Sequence, residues 1–194
     1  MELELTHKLL EHMKRGKVYR RADLKQYATS IDRDLKELCD NKEVLKLSPG
    51  LYCRPKHSAF GLQPPEDKEL VRSFLKDSRF LITSFNHFNS LGLGFTQLYN
   101  SSVVYNYKRH GRMVLASKIF EFKRVSDFPK KLSKEYLVVD LLNNSKLLVE
   151  DEATITPKLK ENFSEFDSDE LMKIALKYGR ARTKDFIKEL YVAH

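Results

Sequence analysis

Glu121-Phe122-Lys123 has the acid-x-lysine spacing of one half of a metal-dependent nuclease site. Such a site needs a second carboxylate on an earlier strand to hold the cation, yet no Asp or Glu occurs between Ser78 and Phe120. The other reactive residue types are equally scattered. Six histidines lack ligand spacing, and His7 and His12 stand five apart, which does not share a helix face as i and i+4 do. Two cysteines, Cys39 and Cys53, are too few for a disulfide framework or a four-cysteine site, and each falls in an apolar pattern that suits a reduced core residue. Gly92-Leu93-Gly94-Phe95 lacks the Lys-Ser or Lys-Thr of a phosphate loop, and no Ser-His-Asp or Cys-His pattern stands out. The expectation is a chain without catalysis, metal or cofactor.

Its charge points to binding instead. The chain of 194 residues carries 35 Lys and Arg against 27 Asp and Glu, a formal +8. Residues 14–25 hold six cations, Lys14, Arg15, Lys17, Arg20, Arg21 and Lys25, against Asp23 alone. Residues 101–134 have a net charge of +7, and residues 150–170 a net charge of −6. Concentrated positive charge is the electrostatic footprint of an anionic partner such as nucleic acid.

The chemistry that fits is duplex recognition. Ser30, Asp32, Arg33 and Lys36 are candidates to reach base edges, since arginine and lysine read guanine and short polar groups serve either base. Lys17, Arg20, Arg21, Lys25, Lys46 and Ser48 suit phosphates, which position a protein without reading sequence. Six such contacts imply a log–log salt slope of about −5. A second basic surface is expected from Lys108, Arg109, Arg112, Lys118, Lys123 and Arg124. Arg33 also stands four residues before Glu37, a pairing worth only about 0.2–0.5 kcal/mol.

These residues need elements to hold them. Leu5, Leu9, Leu10 and Met13 predict a first helix over about 3–15, stopped at Gly16. Val18 and Tyr19 predict a short strand, and 22–27 a second short helix. Ser30 can cap a third helix whose Ile31, Leu35 and Leu38 form the buried stripe. Val44–Leu47 and Leu51–Arg54 then flank Ser48-Pro49-Gly50, where Pro49 pre-sets φ and Gly50 permits the positive φ of a type II turn. Helix, strand, helix, turn, helix and hairpin is the order of a winged helix-turn-helix, which sends its third helix into the major groove.

Three stretches, "RGKVYRRADL", "IDRDLKELCDNKEVLKLSPGLYCRP" and "LGLGFTQLYNSSVVYN", resemble the AbiEi-type antitoxins and transcriptional regulators of type IV toxin–antitoxin systems. The resemblance rests on Gly50, Leu51, Tyr52 and Pro55, and on Leu91, Gly92, Leu93, Thr96 and Gln97. Arg20 and Arg21 stand where the family often has Thr or Ser, and Leu98 where a Pro often follows the Gln. The resemblance implies an autorepressor that binds repeated elements in its own promoter, an arrangement compatible with a monomer in solution that binds cooperatively on DNA. It also implies a functional link to a neighbouring nucleotidyltransferase-like toxin. The alternative is a transcription factor with no toxin partner, whose C-terminal domain senses a ligand or a protein.

The expected fold is α+β: a winged helix-turn-helix at 1–56, a linker at 57–67 around Gly61, Pro64 and Pro65, and a C-terminal mixed α/β domain with antiparallel strands at 68–194. Within the last, Leu70, Val71, Phe74 and Leu75 have helix spacing, and Ser84 can cap a short helix ended by Gly92. Val103, Tyr105 and Tyr107 alternate as a strand, and Ile119, Phe120 and Phe122 continue after a turn at His110-Gly111. Tyr105, Tyr107, Phe120 and Phe122 are either core or a stacking platform for RNA. Further helices are expected at about 135–143, 157–163, 169–178 and 183–191. No run reaches the roughly 18 apolar residues of a membrane span, and the opening residues lack a signal peptide's apolar block, so the expected location is the cytoplasm.

Overall fold

Apolar spacing and turn chemistry account for most elements of the computed structural model, which describes residues 8–150 and 152–193. The architecture is mixed α+β, with two compact units: Met1–Phe80 with Lys108–Glu121, and Leu81–Tyr107 with Phe122–His194.

In the first unit, helix α1 covers 8–11 among the described residues, and the expected start at 3–7, with Leu5 and His7, lies outside them. Strand β1 (Val18–Arg20) leads into α2 (Arg21–Leu24), a single turn continued as a 3-10 turn over Lys25–Tyr27. Helix α3 (Ile31–Asp40) buries Ile31, Leu35 and Leu38, as their spacing requires. Ser30 holds the N-cap position, but its side chain makes no capping hydrogen bond, contrary to the expectation. The helix ends where Lys42 turns left-handed at φ 60°, letting the Glu43 and Val44 amides return to the Leu38 carbonyl.

Strands β2 (Leu45–Ser48) and β3 (Leu51–Cys53) are antiparallel around Pro49-Gly50, and Gly50 has the positive φ, 72°, that the turn demands. Strand β1 pairs on the other side, giving the order β1-β3-β2. The core beneath gathers Leu9, Met13, Leu24, Leu35, Val44 and Tyr52. Both cysteines are free thiols, and burial pushes that of Cys53 up to about 11.

The expected linker is structured. Strands β4 (Lys56–Ser58) and β5 (Gly61–Gln63) form a tight hairpin, held where the Ser58 hydroxyl accepts from the Phe60 amide and donates to the Gly61 carbonyl. Only Leu62 among its strand residues is strongly apolar, so periodicity could not reveal it. Helix α4 (Asp67–Leu75) follows, burying Leu70, Val71 and Leu75. The hairpin of β8 (Gly111–Leu115) with the first half of β9 (Lys118–Arg124) also belongs to this unit. Its turn puts Ala116 and Ser117 at φ 50° and 62°, and the Ala116 amide donates to the Leu47 carbonyl at 2.8 Å.

In the second unit the strand order is β6 (Phe80–Thr83), β7 (Ser101–Asn106), then the end of β9. Ser84 caps Phe85–Leu91, as its position suggests, but that segment is 3-10, with His87 completing a capping box and Gly92 ending it at φ 76°. Helix α5 (Lys134–Asn144), capped by Ser133, is buried nearly all round from Tyr136 to Leu141 and forms the centre of the core. Around it lie α6 (Glu152–Glu161), α7 (Ser168–Tyr178) and α8 (Ala181–Ala193). Helix α6 starts five residues before the expected 157, because Pro157 reads locally as a helix start yet sits inside the helix. Tyr105, Phe120 and Phe122 are buried, so three of the four aromatics considered for RNA stacking are core, and Tyr107 alone is exposed. No helix among the described residues is long and apolar enough to cross a membrane.

Candidate nucleic-acid interface

Arg21 organises the surface around the start of α3. Its backbone amide donates to the Gly50 carbonyl at 2.9 Å, tying α2 to the turn of the β2–β3 hairpin. Its guanidinium donates to both carboxylate oxygens of Asp32, at 2.6 and 2.5 Å, tying α2 to the first turn of α3. The bidentate bond raises the Arg21 pKa and lowers that of Asp32, so both stay charged and cancel. Asp32, expected to reach a base edge, is thereby engaged by its own neighbour.

The rest of α3 presents its cations outward. Arg33 and Lys36 are exposed, and Arg33 lies 3.9 Å from Asp34, a carboxylate that is itself buried. With Asp32 neutralised and Asp34 buried, Arg33 and Lys36 dominate the charge on the first two turns of the outer face. Asp40 is exposed at the far end. Ser30 and Lys25 are exposed before the helix, and Lys46 is exposed on β2 opposite Tyr52. Ser48 is half-buried at the hairpin turn.

Arg20 does not belong to this surface. Its half-buried guanidinium donates to the carbonyls of Ser73 at 2.9 Å and Phe74 at 2.5 Å, the last turn of α4, where a cation also complements the helix dipole. Those acceptors lie more than fifty residues away in sequence, so no local signal could have separated Arg20 from Arg21. Replacing Arg20 with alanine is expected to lower stability by about 1–2 kcal/mol, as a shift in urea midpoint at unchanged slope. Lys17 lies 3.5 Å from Glu69 with half its side chain still exposed.

The second basic group is largely engaged as well. In the first unit, Lys108 donates to the Leu75 and Lys76 carbonyls and lies 3.4 Å from Asp77, another cation at the end of α4. The Arg79 hydrogen bond, with Lys108 adding to it, holds the Asp77 carboxyl well below the usual range. Arg109 stacks over the Phe74 ring, and Lys118 bonds Asp67 at 2.6 Å. Arg112 lies 3.6 Å from Glu121, so the carboxylate considered for a nuclease meets a cation. In the second unit Lys123 turns inward onto Asn144 at 2.5 Å, and Arg124 is exposed. No group of three or more His, Cys, Asp or Glu that could hold a metal occurs among the described residues.

A buried network in the second unit escaped the sequence reading. The Tyr105 hydroxyl donates to Asp140 Oδ1, and Asn144 donates to the same oxygen at 2.9 Å. Asp140 Oδ2 has no hydrogen-bond partner among the described residues, and burial raises this carboxyl to about 6 despite those bonds and the nearby Lys123 and Arg180 charges. Asp140 within "EYLVVDLLNN" interrupts an apolar run, which was the available signal.

No family model matches the chain, and no curated protein matches it. One solved structure is similar, that of the Rv2827c protein from Mycobacterium tuberculosis, at 16% identity and a TM-score of 0.51, covering 98% of this chain and 75% of that one. At that identity the likeness concerns the fold alone.

Proposed function

We propose that this chain is a DNA-binding autorepressor and antitoxin of the AbiEi type, with a winged helix-turn-helix near its N-terminus that reads duplex DNA through α3. The observation that carries the reading is the double tie of Arg21, which joins α2, the start of α3 and the hairpin turn through one residue. Helix α3 then acts as the reading element, Arg33 and Lys36 meet base edges, and the β2–β3 hairpin serves as the wing. With Arg20 committed to α4 and the Arg21 guanidinium to Asp32, the phosphate contacts fall to Lys17, Lys25 and Lys46. Three such contacts give a log–log salt slope of about −3. Gel-shift titrations of the intact protein on its own upstream DNA, between low and physiological salt, test this. No retained complex at low salt, or a slope near zero, overturns the DNA reading.

The antitoxin half rests on the sequence resemblance. Co-expression with an adjacent nucleotidyltransferase-like protein is expected to relieve that protein's toxicity, and unchanged toxicity rejects it. A second reading, a transcription factor whose second unit senses a ligand, is favoured by a polar cavity in that unit.

A further inference from the structure

Asn143, near the end of α5, fastens the beginning of α8. Its Oδ1 accepts from the Arg180 amide and from the Thr183 hydroxyl, both at 2.9 Å, and its Nδ2 donates to the Tyr178 carbonyl at 3.0 Å. The tie leaves a cavity of about 210 Å³ between the end of α5, the start of α6 and the start of α8. Leu142 and Phe186 supply an apolar wall, and Lys146, Arg180 and Arg182 supply three cations.

The charges in this cavity are unbalanced. Glu152 is the one acid in its lining, and it is taken by Arg182 at 2.5 Å. Among the described residues neither the Arg180 guanidinium nor the Lys146 ammonium forms an ion pair. Both side chains are exposed, and Arg180 reaches the buried Asp140 only through its field, so neither is held in an ion pair and both remain available to an anion. The Ser145 hydroxyl is an independent sign. Ser145 is 8% exposed and lines the cavity, and its hydroxyl hydrogen-bonds to no described residue. The oxygen itself is accessible, so it keeps a donor and an acceptor available on the cationic cavity.

We propose that this cavity binds a small organic oxyanion, with its phosphate or carboxylate held by Arg180, Lys146 and Ser145 and its short carbon body against Leu142 and Phe186. Size sets the class. The space, about 210 Å³, lies below the roughly 300 Å³ at which drug-sized sites begin, and a three-carbon phosphate or carboxylate matches it. The site stands independently of the DNA reading, because binding is measured without DNA.

The test is calorimetric and thermal titration of the full chain with glycerol 3-phosphate, inorganic phosphate, glycerate and neutral glycerol. Saturable binding of at least one anion is expected, with a rise of about 5 °C in melting temperature at saturation and no response to glycerol. A stronger response to the phosphates identifies a phosphate site, and a stronger response to glycerate a carboxylate site. Arg180→Ala and Lys146→Ala are each expected to weaken binding at least about tenfold, while Lys188→Ala, an exposed cation on α8 outside the cavity, leaves it unchanged. Ser145→Ala is expected to weaken binding while leaving the ligand-free melting temperature unchanged or higher, since it removes a hydroxyl that bonds nothing. The absence of saturable binding, an equal response to glycerol, or unaltered affinity in both cation variants overturns the proposal.

Discussion

Arg33→Ala combined with Lys36→Ala is expected to weaken binding to upstream DNA by at least about thirtyfold, with almost no change in thermal melting. Each well-formed base contact supplies about 1–3 kcal/mol of discrimination, so losing two removes roughly 2–6 kcal/mol. Both side chains are exposed, and exposed ion pairs add little to stability, so folding loses little with them. Loss should be greatest on the cognate sequence and small on random duplex, where the phosphate contacts remain. Rescue of toxicity should survive in the same full-length variant if antagonism resides elsewhere in the chain. Equal binding by wild type and double variant removes α3 as the reading helix. Equal loss on cognate and random DNA reassigns the two residues to phosphates.

The protein should gain stability as the pH falls from 8 to 5, and Asp140 is the reason. Its folded pKa, about 6, lies above the ordinary carboxylate value of 3.8. The folded state therefore holds the proton more tightly than the unfolded chain, and ionisation above pH 6 works against folding. The penalty is on the order of a few kcal/mol at pH 8, is roughly half relieved by pH 5, and is fully relieved below the unfolded pKa. Asp77 acts in the opposite sense, but its depressed carboxyl loses its contribution only in the acid range below the ordinary carboxylate pKa, outside this window. Urea unfolding of wild type and Asp140→Asn at pH 5, 6, 7 and 8 isolates the effect, since asparagine keeps the oxygen that accepts from Tyr105 and Asn144 and removes the titration. Parallel stability curves for the two proteins would sink the assignment.

Legibility in the sequence followed range. Ile31, Leu35 and Leu38 announce α3 because three residues at helical spacing specify one face, and Pro49-Gly50 announces its turn through backbone dihedrals alone. Ser84 and Gly92 likewise act within one helical turn. The β4–β5 hairpin was illegible because a turn held by Ser58 and two short strands carries almost no apolar alternation. The early start of α6 was hidden because Pro157 follows a full helical turn that its own ring would normally forbid.

The amino-acid order by itself determined most of the helices, the strands on either side of Gly50, the buried stripe of α3, the turn at Gly50 and the concentration of positive charge. These depend on backbone preference and on neighbours three or four residues away. Tertiary structure alone decided which cations remain available. It sent Arg20 to carbonyls at Ser73 and Phe74, Lys108 to the end of α4 and Lys123 to Asn144, while leaving Lys36 and Lys46 outside. The physical reason is that a guanidinium or ammonium carries several donors and satisfies them with whatever acceptor the fold brings near, and that acceptor's place in the sequence is unconstrained.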